Sequence, residues 1–347
     1  MVTVGIAAYN VGQFIEKSLL SVLNQDYPEL EILVIDDNSK DNTYNIVEQI
    51  SRTHHRGASI RIIRNDNNQG TANVRNQCID EAKGNYIFFL DGDDYIASNA
   101  ISKLYCKAVE TQAEMVIGAH CRFVETGRGE EIIKTYRYKP GIIYNDYAIA
   151  QMLRENHTEY YPIALWNKLF QISFIRDKRI RCVPSHFLWE DIYFAFQTSL
   201  KLCKIAVIED VTMMWRIREG SAIQTTMSKQ RMNTYLSIFD QILNEIAIEK
   251  ASRSDHQIPV ELYYILSNRY LAGFITRGVM VSRILKKQDK CQYLKHIGAI
   301  TDTELKMSDL LNKKSKRIYR ALESRFRYWL VYFYFVLHPH RILATSN

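Results

Sequence analysis

The first 112 residues alternate apolar runs with amphipathic segments, and this alternation limits the possible folds more than any other feature of the chain. Two runs, Leu30–Ile35 and Tyr86–Leu90, are nearly free of polar residues, which is typical of strands buried on both faces. The segments between the runs carry apolar residues at helical spacing, as in Val11–Asn24. The pattern predicts an α/β fold with a mainly parallel central sheet flanked by helices. Further strands are expected at Val2–Ala8, Ile60–Arg64 and Met115–Ala119.

The 347 residues are enough for two domains, or for one domain with an extension. After residue 112 the pattern is mixed and aromatic-rich up to about residue 225. From residue 228 onward it is helical, with periodic apolar residues over Arg231–Ile248 and Val260–Leu285. The chain is therefore expected to divide into the regions 1–112, 113–227 and 228–347.

The net charge of +7 is concentrated at one end of the chain. Residues 312–347 carry eight Lys/Arg and one Glu, so the remainder is neutral, and a nucleic-acid partner is not expected. The six cysteines are scattered without C-x-x-C spacing, which disfavours a zinc ribbon or a disulfide framework. A reducing, cytoplasmic compartment is expected, and the strand-like start of the chain predicts no signal peptide.

Acidic residues follow two of the predicted strands. Asp36 and Asp37 follow the second strand, and Asp91, Asp93 and Asp94 follow the fourth. Ligands of open parallel sheets bind outside the carboxyl ends of the strands. Acids at adjacent strand ends repel one another, and a divalent cation such as Mg²⁺ or Mn²⁺ relieves that repulsion. The alternative is an ordinary polar turn at Asp-Gly-Asp-Asp.

Other nucleotide-binding folds lack their motifs here. No G-x-G-x-x-G follows the first strand, and no G-x-x-x-x-G-K-[ST] occurs in the chain. These absences argue against a dinucleotide-dependent oxidoreductase and against a P-loop NTPase.

Six motifs in order carry a more specific signal. They are VGIAAYN (4–10), SVLNQDYPELEILVIDDNSKDNT (21–43), NDNNQGTANVRNQCIDEAKGNYIFFLDGDD (65–94), WNKLF (166–170), WED (189–191) and RIREGSAIQT (216–225). The series resembles family 2 of the glycosyltransferases, inverting enzymes with the GT-A nucleotide-diphospho-sugar transferase fold. The resemblance is dense over residues 2–112 and continues to about residue 225.

The resemblance implies that residues 1–112 bind a nucleotide-sugar, taken to be a UDP-sugar. Tyr9 and Asp37 would bracket the nucleobase, because a carboxylate can accept the N3–H of uracil. Asp36 would either support this loop or contact the ribose. Gly70 would let the backbone pass close to the nucleotide.

The same resemblance assigns the diphosphate end of the donor site. Arg75 would reach the base or the diphosphate, although it could also be a solvated helix residue. Asp91 would bind the ribose and Asp93 would bind Mn²⁺ or Mg²⁺, while Asp94 would orient the loop or share the metal. A fixed cation stabilises the negative charge that develops on the leaving diphosphate.

Residues 113–227 would bind the acceptor and supply a base. Asp191 matches the family position that deprotonates the acceptor hydroxyl, a contribution of about 10²–10⁴-fold. Glu190 is its rival, since the two unperturbed pKa values are similar. Trp189 would contact a sugar. The remaining matches would lie near the acceptor or the diphosphate; they are Lys168, Arg216, Arg218 and Ser221.

Residues 228–347 would form a helical extension with a basic, aromatic tail at 313–341. Its apolar stretch Tyr328–Leu337 has ten residues, about 15 Å as a helix, whereas a hydrocarbon core is about 30 Å thick. The stretch cannot span a bilayer alone, and the tail is expected to lie on an anionic membrane surface. Docking of a final helix on the body of the protein is the alternative.

The sequence thus predicts an inverting glycosyltransferase, peripheral on the inner face of the cell membrane. It would move a sugar from a UDP-sugar to a hydroxyl of a glycan or lipid-linked acceptor in surface polysaccharide synthesis. Two alternatives stay open: a non-catalytic nucleotide-sugar-binding subunit of a synthesis complex, and a nucleotidyltransferase that releases pyrophosphate.

Overall fold

Ten strands join in one sheet in the computed structural model of the chain, which describes residues 1–144, 148–149, 164–183, 190–218 and 229–252. The strands are β1 (Val2–Ala8), β2 (Leu30–Asp36), β3 (Ile60–Arg64), β4 (Tyr86–Asp91), β5 (Tyr95–Ile96), β6 (Met115–Thr126), β7 (Gly129–Tyr136), β8 (Gly141–Tyr144), β9 (Lys168–Gln171) and β10 (Lys204–Ile217). The described helices are α1 (Ile15–Leu23), α2 (Thr43–Thr53), α3 (Thr71–Glu81), α4 (Ala100–Thr111), α5 (Ile172–Asp177), α6 (Glu190–Lys201) and α7 (Lys229–Ser252). The strand order is β3-β2-β1-β4-β9-β6-β10-β5, with β7 paired to β6 and β8 paired to β10.

The first four strands form the parallel sheet that the alternating pattern predicts. β1 pairs in parallel with β2 and β4, and β2 pairs in parallel with β3. Every residue of β2 is buried, and so is nearly all of β1. These strands have layers of helices on both faces, which is why their sequences are continuously apolar rather than alternating.

Helices cover the two faces of the sheet in separate groups. α1, α2 and α4 pack into one core with β1, β2 and the inner side of β4. On the opposite face, Cys78 of α3 lies so close to Gly5 that a Cβ added to Gly5 would be 3.0 Å from the sulfur of Cys78. Phe194 of α6 packs edge-to-face on Phe89 of β4 on that same side. The α/β architecture is therefore as predicted.

Beyond β4 the sheet is mixed rather than parallel. β9 is antiparallel to both β4 and β6, while β10 runs parallel to β6 with register shifts between Val207 and Met213. β6 continues to Thr126, well past the predicted strand end at Ala119, because β7 folds back and pairs with this extension. The mainly parallel sheet that the sequence predicts is thus confirmed: β3-β2-β1-β4 are parallel, β6 and β10 are parallel, and β9 joins the two groups in antiparallel pairing.

The two acidic strand ends are not neighbours, and the prediction of adjacent ends is wrong. β1 lies between β2 and β4 in the sheet. Strands are about 4.8 Å apart, so the backbone at Asp36 and at Asp91 is separated by roughly 10 Å. The acids therefore form two groups, one on each side of the end of β1.

The chain divides into two compact units. One comprises Met1–Thr158 and Pro162–Thr225, and the other comprises Glu159–Tyr161 and Thr226–Asn347. Within the second unit, α7 confirms the helix that the periodic pattern predicts at Arg231–Ile248. Among the described residues, no helix has the length and apolar character needed to cross a membrane.

Several predictions fall outside the described residues. They concern Trp189, Ser221, the helical pattern at Val260–Leu285 and the basic tail at 313–341. The division into 1–112, 113–227 and 228–347 stays a prediction.

Candidate active site

The carboxyl ends of β1, β2 and β4 form one edge of the sheet. Ala8 at the end of β1 pairs with Asp36 of β2, and Ala7 pairs with Asp91 of β4. The loops that leave these strands carry the candidate donor residues, among them Tyr9, whose side chain is 47% exposed. This is the edge at which ligands of open α/β sheets bind.

Asp37 connects two of these loops. Its Oδ1 accepts hydrogen bonds from Asn65 Nδ2 and from the backbone N–H of Gln69, both at 2.9 Å. Its Oδ2 accepts the N–H of Gly70 at 2.8 Å. The carboxylate is 3% exposed, so it holds the loop after β3 against the loop after β2. Its expected contact with a nucleobase stays a prediction.

Asp36 lies in the position that supports its loop. Its side chain is 1% exposed and forms an ion pair with Arg64, with Nε and Oδ2 3.2 Å apart. Oδ1 also accepts a long hydrogen bond of 3.3 Å from the N–H of Ser39. These contacts correspond to the first of its two expected roles; contact with the ribose stays a prediction.

Gly70 adopts a backbone conformation that other residues avoid. Its φ of 85° and ψ of 158° lie in a region that is essentially restricted to glycine. It is buried, it is the N-cap residue of α3, and its N–H donates to Asp37. The direction in which α3 leaves this loop, and therefore the position of Arg75, depends on Gly70.

Arg75 and Asp91 form an ion pair below the loops. Nη2 of Arg75 is 3.0 Å from Oδ1 of Asp91. The arginine side chain is only 7% exposed and the aspartate side chain is 31% exposed, so the pair is screened less than a surface pair. Arg75 is thus a buried cation at this edge of the sheet rather than a residue of a solvated helix face.

Two arginines at the end of β10 hold the Asp-Gly-Asp-Asp loop. The backbone N–H of Arg216 donates to Asp94 Oδ1 at 2.7 Å, and its Nε donates to the carbonyl of Asp93 at 2.8 Å. Nε of Arg218 donates to Oδ2 of Asp93 at 2.8 Å. Arg216 also forms an ion pair with Glu125 of β6, although its own side chain is 2% exposed. Arg216 therefore binds the loop that was expected to bind the donor.

The acids of this loop are held close together in a poorly hydrated place. Burial raises the pKa of Asp93, and the charge of Asp91 raises it further, while Arg218 opposes the shift. Burial raises the pKa of Asp94 well above its usual value, with Asp93 and Asp91 adding to the effect. Burial and mutual repulsion therefore disfavour ionisation of these acids, and a nearby cation would oppose both effects.

Asp191 is the second residue of α6 and belongs to the same electrostatic cluster. Burial raises its pKa, the charge of Arg75 lowers it and the charge of Asp91 raises it. The N–H of Ile192 donates to it and also lowers the pKa. Arg75 consequently acts on both Asp91 and Asp191. Glu190 begins α6, but its side chain is outside the described part of the chain.

Lys168 is a buried neighbour of this cluster, and its expected place near the acceptor or the diphosphate stays a prediction. It is 2% exposed, and its Nζ donates to the carbonyl of Ala164. Burial lowers its pKa to about 7, while the charge of Asp191 opposes that shift. Lys168 is thus placed to act on Asp191 through its charge.

Two residues with evident roles in this arrangement were not assigned from the sequence. Asn65, which donates to Asp37, lies within the motif that contains Gly70, and its position directly after a strand was the available signal. Glu125, the partner of Arg216, belongs to no motif. The contact between strands β6 and β10 creates its role.

The oxygen ligands present suit a hard divalent cation. Among the described residues, no group of three or more His, Cys, Asp or Glu side chains could hold a metal by itself. Mg²⁺ typically takes one or two protein carboxylates and completes its shell with phosphate oxygens and water. Asp93, with a carboxylate that is 22% exposed and close to Asp91, fits that requirement.

Comparison with known proteins identifies the class. Residues 3–168 match the family described as Glycosyl transferase family 2. The fold resembles the crystal structure of S. aureus TarS 1-349 in complex with UDP-GlcNAc, with a TM-score of 0.71 and 20% identity over 94% of this chain and 91% of that one. The fold is therefore the GT-A fold, and the chain carries a family 2 glycosyltransferase domain over residues 3–168.

Curated relatives agree with this family but are mostly longer. Glycosyltransferase GlyA of Streptococcus pneumoniae is 29% identical over 63% of this chain and 31% of its own length. Poly(ribitol-phosphate) beta-glucosyltransferase of Bacillus spizizenii is 26% identical over 86% of this chain and 44% of its own. GalNAc(5)-diNAcBac-PP-undecaprenol beta-1,3-glucosyltransferase of Campylobacter jejuni is 27% identical over 76% of this chain and 81% of its own length. The chain thus spans less than half the length of the first two.

Proposed function

We propose that this protein transfers a sugar from a UDP-sugar to a hydroxyl of a glycan or lipid-linked acceptor, with inversion at the anomeric carbon. The observation that carries the proposal is the position of Arg75. It forms an ion pair with Asp91 at the donor edge and its charge also acts on Asp191, the candidate base. One buried cation thus acts both on Asp91, expected to bind the donor, and on Asp191, expected to deprotonate the acceptor.

The donor would lie across the ends of β2, β1 and β4. Tyr9 and Asp37 would bracket the uracil, Gly70 would let the backbone approach the nucleotide, and Asp91 would bind the ribose. Arg75 would stabilise the diphosphate as negative charge develops on it. Family membership and the UDP-GlcNAc complex of a structural neighbour support this placement.

Asp93 would hold Mn²⁺ or Mg²⁺ together with the diphosphate oxygens. The metal would supply positive charge for the leaving group. Asp94 and Arg216 keep the loop in place through the hydrogen bond between them. All catalytic groups other than the metal would be side chains of this protein.

Asp191 would take the proton of the acceptor hydroxyl as that oxygen attacks the sugar. Burial keeps its pKa above that of an ordinary carboxyl, so the pKa of the proposed base lies nearer to neutral pH. Lys168 would modulate this base through its charge. Trp189, Glu190 and Ser221 are proposed at the acceptor or diphosphate, and Glu190 stays the rival base.

The acceptor class is suggested by the names of the relatives. They act on poly(ribitol-phosphate) in one case and on an undecaprenol-linked diphosphate glycan in another. We propose that this chain acts on a bacterial surface glycan or its lipid-linked precursor at the inner face of the membrane. The basic tail at 313–341 would contact the anionic membrane surface.

Thermal unfolding with UDP, with and without Mn²⁺, tests the donor site. A ligand at about 100 times its Kd stabilises the folded state by about 2.7 kcal/mol, which gives a readable shift. We expect a Mn²⁺-dependent increase in Tm that Asp93→Ala removes and that Asp26→Ala, at an exposed aspartate, retains. A shift only with GDP, CMP or dTDP would change the donor. No shift with any nucleotide would contradict the proposed activity.

A further inference from the structure

Aromatic rings and cations form a band across β10, β6 and β7, with Trp166 of the segment before β9 packed against it, separate from the candidate donor residues. We propose that this aromatic–cationic band binds a phosphate group of the acceptor together with the sugar-like carbon chain beside it. The inference rests on the proposed function and specifies its acceptor class. The band consists of His120, Arg122, Lys134, Tyr136, Trp166 and Trp215.

Strand register places the band on one face of the sheet. Trp215 of β10 is directly opposite Arg122 of β6, which is directly opposite Lys134 of β7. His120 is opposite Tyr136 in the same way. Residues that pair directly across strands share a face, and so do residues two apart along one strand.

The band runs from the core to solvent. His120 is fully buried; its ring stacks on Tyr136 at 4.6 Å between centroids and meets Trp166 edge-on at 5.0 Å. Trp166, 8% exposed, contacts Trp215 at 5.6 Å between centroids. Arg122, Trp215 and Tyr136 are half-buried, and Lys134 is exposed. The inner rings therefore hold the outer ones in fixed orientations.

The cations of the band lack anionic partners. The Arg122 guanidinium lies 5.2 Å from the centre of the Trp215 ring, and the Lys134 ammonium lies 4.9 Å from that of Tyr136. Over the described residues, neither cation forms an ion pair with a carboxylate, and the buried Nε of Arg122 has no hydrogen-bond partner. The half-buried guanidinium and the exposed ammonium thus present positive charge that no carboxylate of the described residues neutralises, and a phosphate would supply the opposite charge.

The band lies beside the donor loop. Trp215 immediately precedes Arg216, which holds Asp93 and Asp94, so the band and this loop adjoin at the end of β10, although the two side chains point to opposite faces of the strand. A carbon chain with C–H groups can pack on the indole while a phosphate meets the guanidinium. A neutral glycan would need no such cation. The phosphate could belong to a polyol-phosphate chain or to a lipid-linked diphosphate.

Calorimetric titration of the full chain, saturated with UDP and Mn²⁺, tests the inference. The probes are a glycerol-phosphate trimer, a short-chain prenyl-diphosphate-linked N-acetylglucosamine, and maltotriose as a neutral glycan. We expect at least one phosphate probe to bind more tightly than maltotriose, and the stronger of the two identifies the source of the phosphate. Arg122→Gln should weaken that binding about tenfold or more and leave UDP binding unchanged. Arg128→Gln, at the exposed hairpin turn, should change it less than twofold.

A second variant covers the case in which Arg122→Gln does not fold. Arg122→Lys keeps the charge but loses the planar fork, and it should weaken phosphate-probe binding several-fold. Retention of wild-type affinity in the folded Arg122 variants would overturn the inference. So would equal affinity for maltotriose, or absence of phosphate-probe binding in a wild-type protein that binds UDP. Loss of UDP binding by the wild type would instead overturn the proposed function and the inference with it.

Discussion

Arg218 donates a 2.8 Å hydrogen bond to the carboxylate of Asp93, the residue proposed to hold the metal. The arginine and aspartate side chains are 25% and 22% exposed, so the pair is partly accessible to solvent. Arg218 therefore neutralises part of the charge that a divalent cation would otherwise neutralise. A metal bound as proposed would have to compete with this guanidinium for one carboxylate oxygen.

Arg218→Gln should accordingly strengthen binding of Mn²⁺ to the nucleotide-free protein. A partly exposed ion pair is worth about 1 kcal/mol or less, which corresponds to up to about a fivefold change in affinity. Titration of Mn²⁺ monitored by its EPR signal measures the free ion directly. Arg128→Gln removes the same charge at the exposed β6–β7 turn and should leave the affinity unchanged. Unchanged affinity in Arg218→Gln would contradict competition at Asp93.

Asp191→Asn should reduce transfer by about 10²–10⁴-fold while UDP binding stays at the wild-type level. The amide cannot accept the acceptor proton, but it keeps the shape of the side chain. UDP release, measured with the donor sugar that binding assays select, reports the first effect, and the UDP-induced Tm shift reports the second. Glu190→Gln serves as the comparison. A large loss in that variant with retained activity in Asp191→Asn would assign the base to Glu190.

Lys168→Met should move the acid limb of the pH–activity profile to higher pH. Among the groups acting on Asp191, Arg75 and Lys168 lower its pKa and Asp91 raises it. Lys168, with a pKa of about 7, is positively charged below that pH. Its removal leaves Asp191 protonated to a higher pH, and a protonated Asp191 could not act as the proposed base. A profile of kcat between pH 5 and 8 shows whether the acid limb shifts in this direction. If the limb stays at the wild-type pH, Lys168 does not influence the protonation of Asp191.

The strands of residues 1–112 could be predicted from sequence, whereas their order could not. Burial on both faces leaves a local signature, and the expected Ile60–Arg64 agrees with β3 residue for residue. The order of strands depends on the crossover connections, which leave no comparable signature. This is why Asp36 and Asp91 were expected on adjacent strands although β1 separates them.

The contacts of the donor loop also depend on long-range pairing. Arg216 and Asp94 are 122 residues apart in the chain and form a hydrogen bond because β10 ends beside the loop. Both residues belong to recognisable motifs, but the local sequence of neither motif predicts that the two are in contact. Glu125 has no motif at all, and only the alignment of β6 with β10 places it against Arg216.

Glu125→Gln tests whether that alignment matters for the donor site. The Arg216 side chain is 2% exposed, and Glu125 supplies its carboxylate partner. Loss of the charge should loosen the arginine that holds Asp93 and Asp94, and should raise the donor KM about three- to fivefold with a smaller change in kcat. Glu131→Gln, at an exposed site in the same hairpin, is the matched control. Equal kinetics in the two variants would show that Arg216 holds the loop without Glu125.

Gly70→Ala should destabilise the protein and weaken UDP binding. A φ of 85° with a ψ of 158° is strained for any residue with a Cβ, at a cost of about 1–3 kcal/mol. To relieve the strain, the backbone N–H of residue 70 would have to move away from Asp37. The start of α3 would move with it, and α3 carries Arg75.

Gly127→Ala is the matched control for this change, because a Cβ at Gly127 would meet no atom within 4 Å. Urea unfolding measures the free-energy difference between the two variants, and UDP titration measures the effect on the site. We expect a lower free energy of unfolding and weaker UDP binding only in Gly70→Ala. If both variants unfold at the same urea concentration as the wild type and bind UDP equally, the strained conformation of Gly70 does not hold the donor loop.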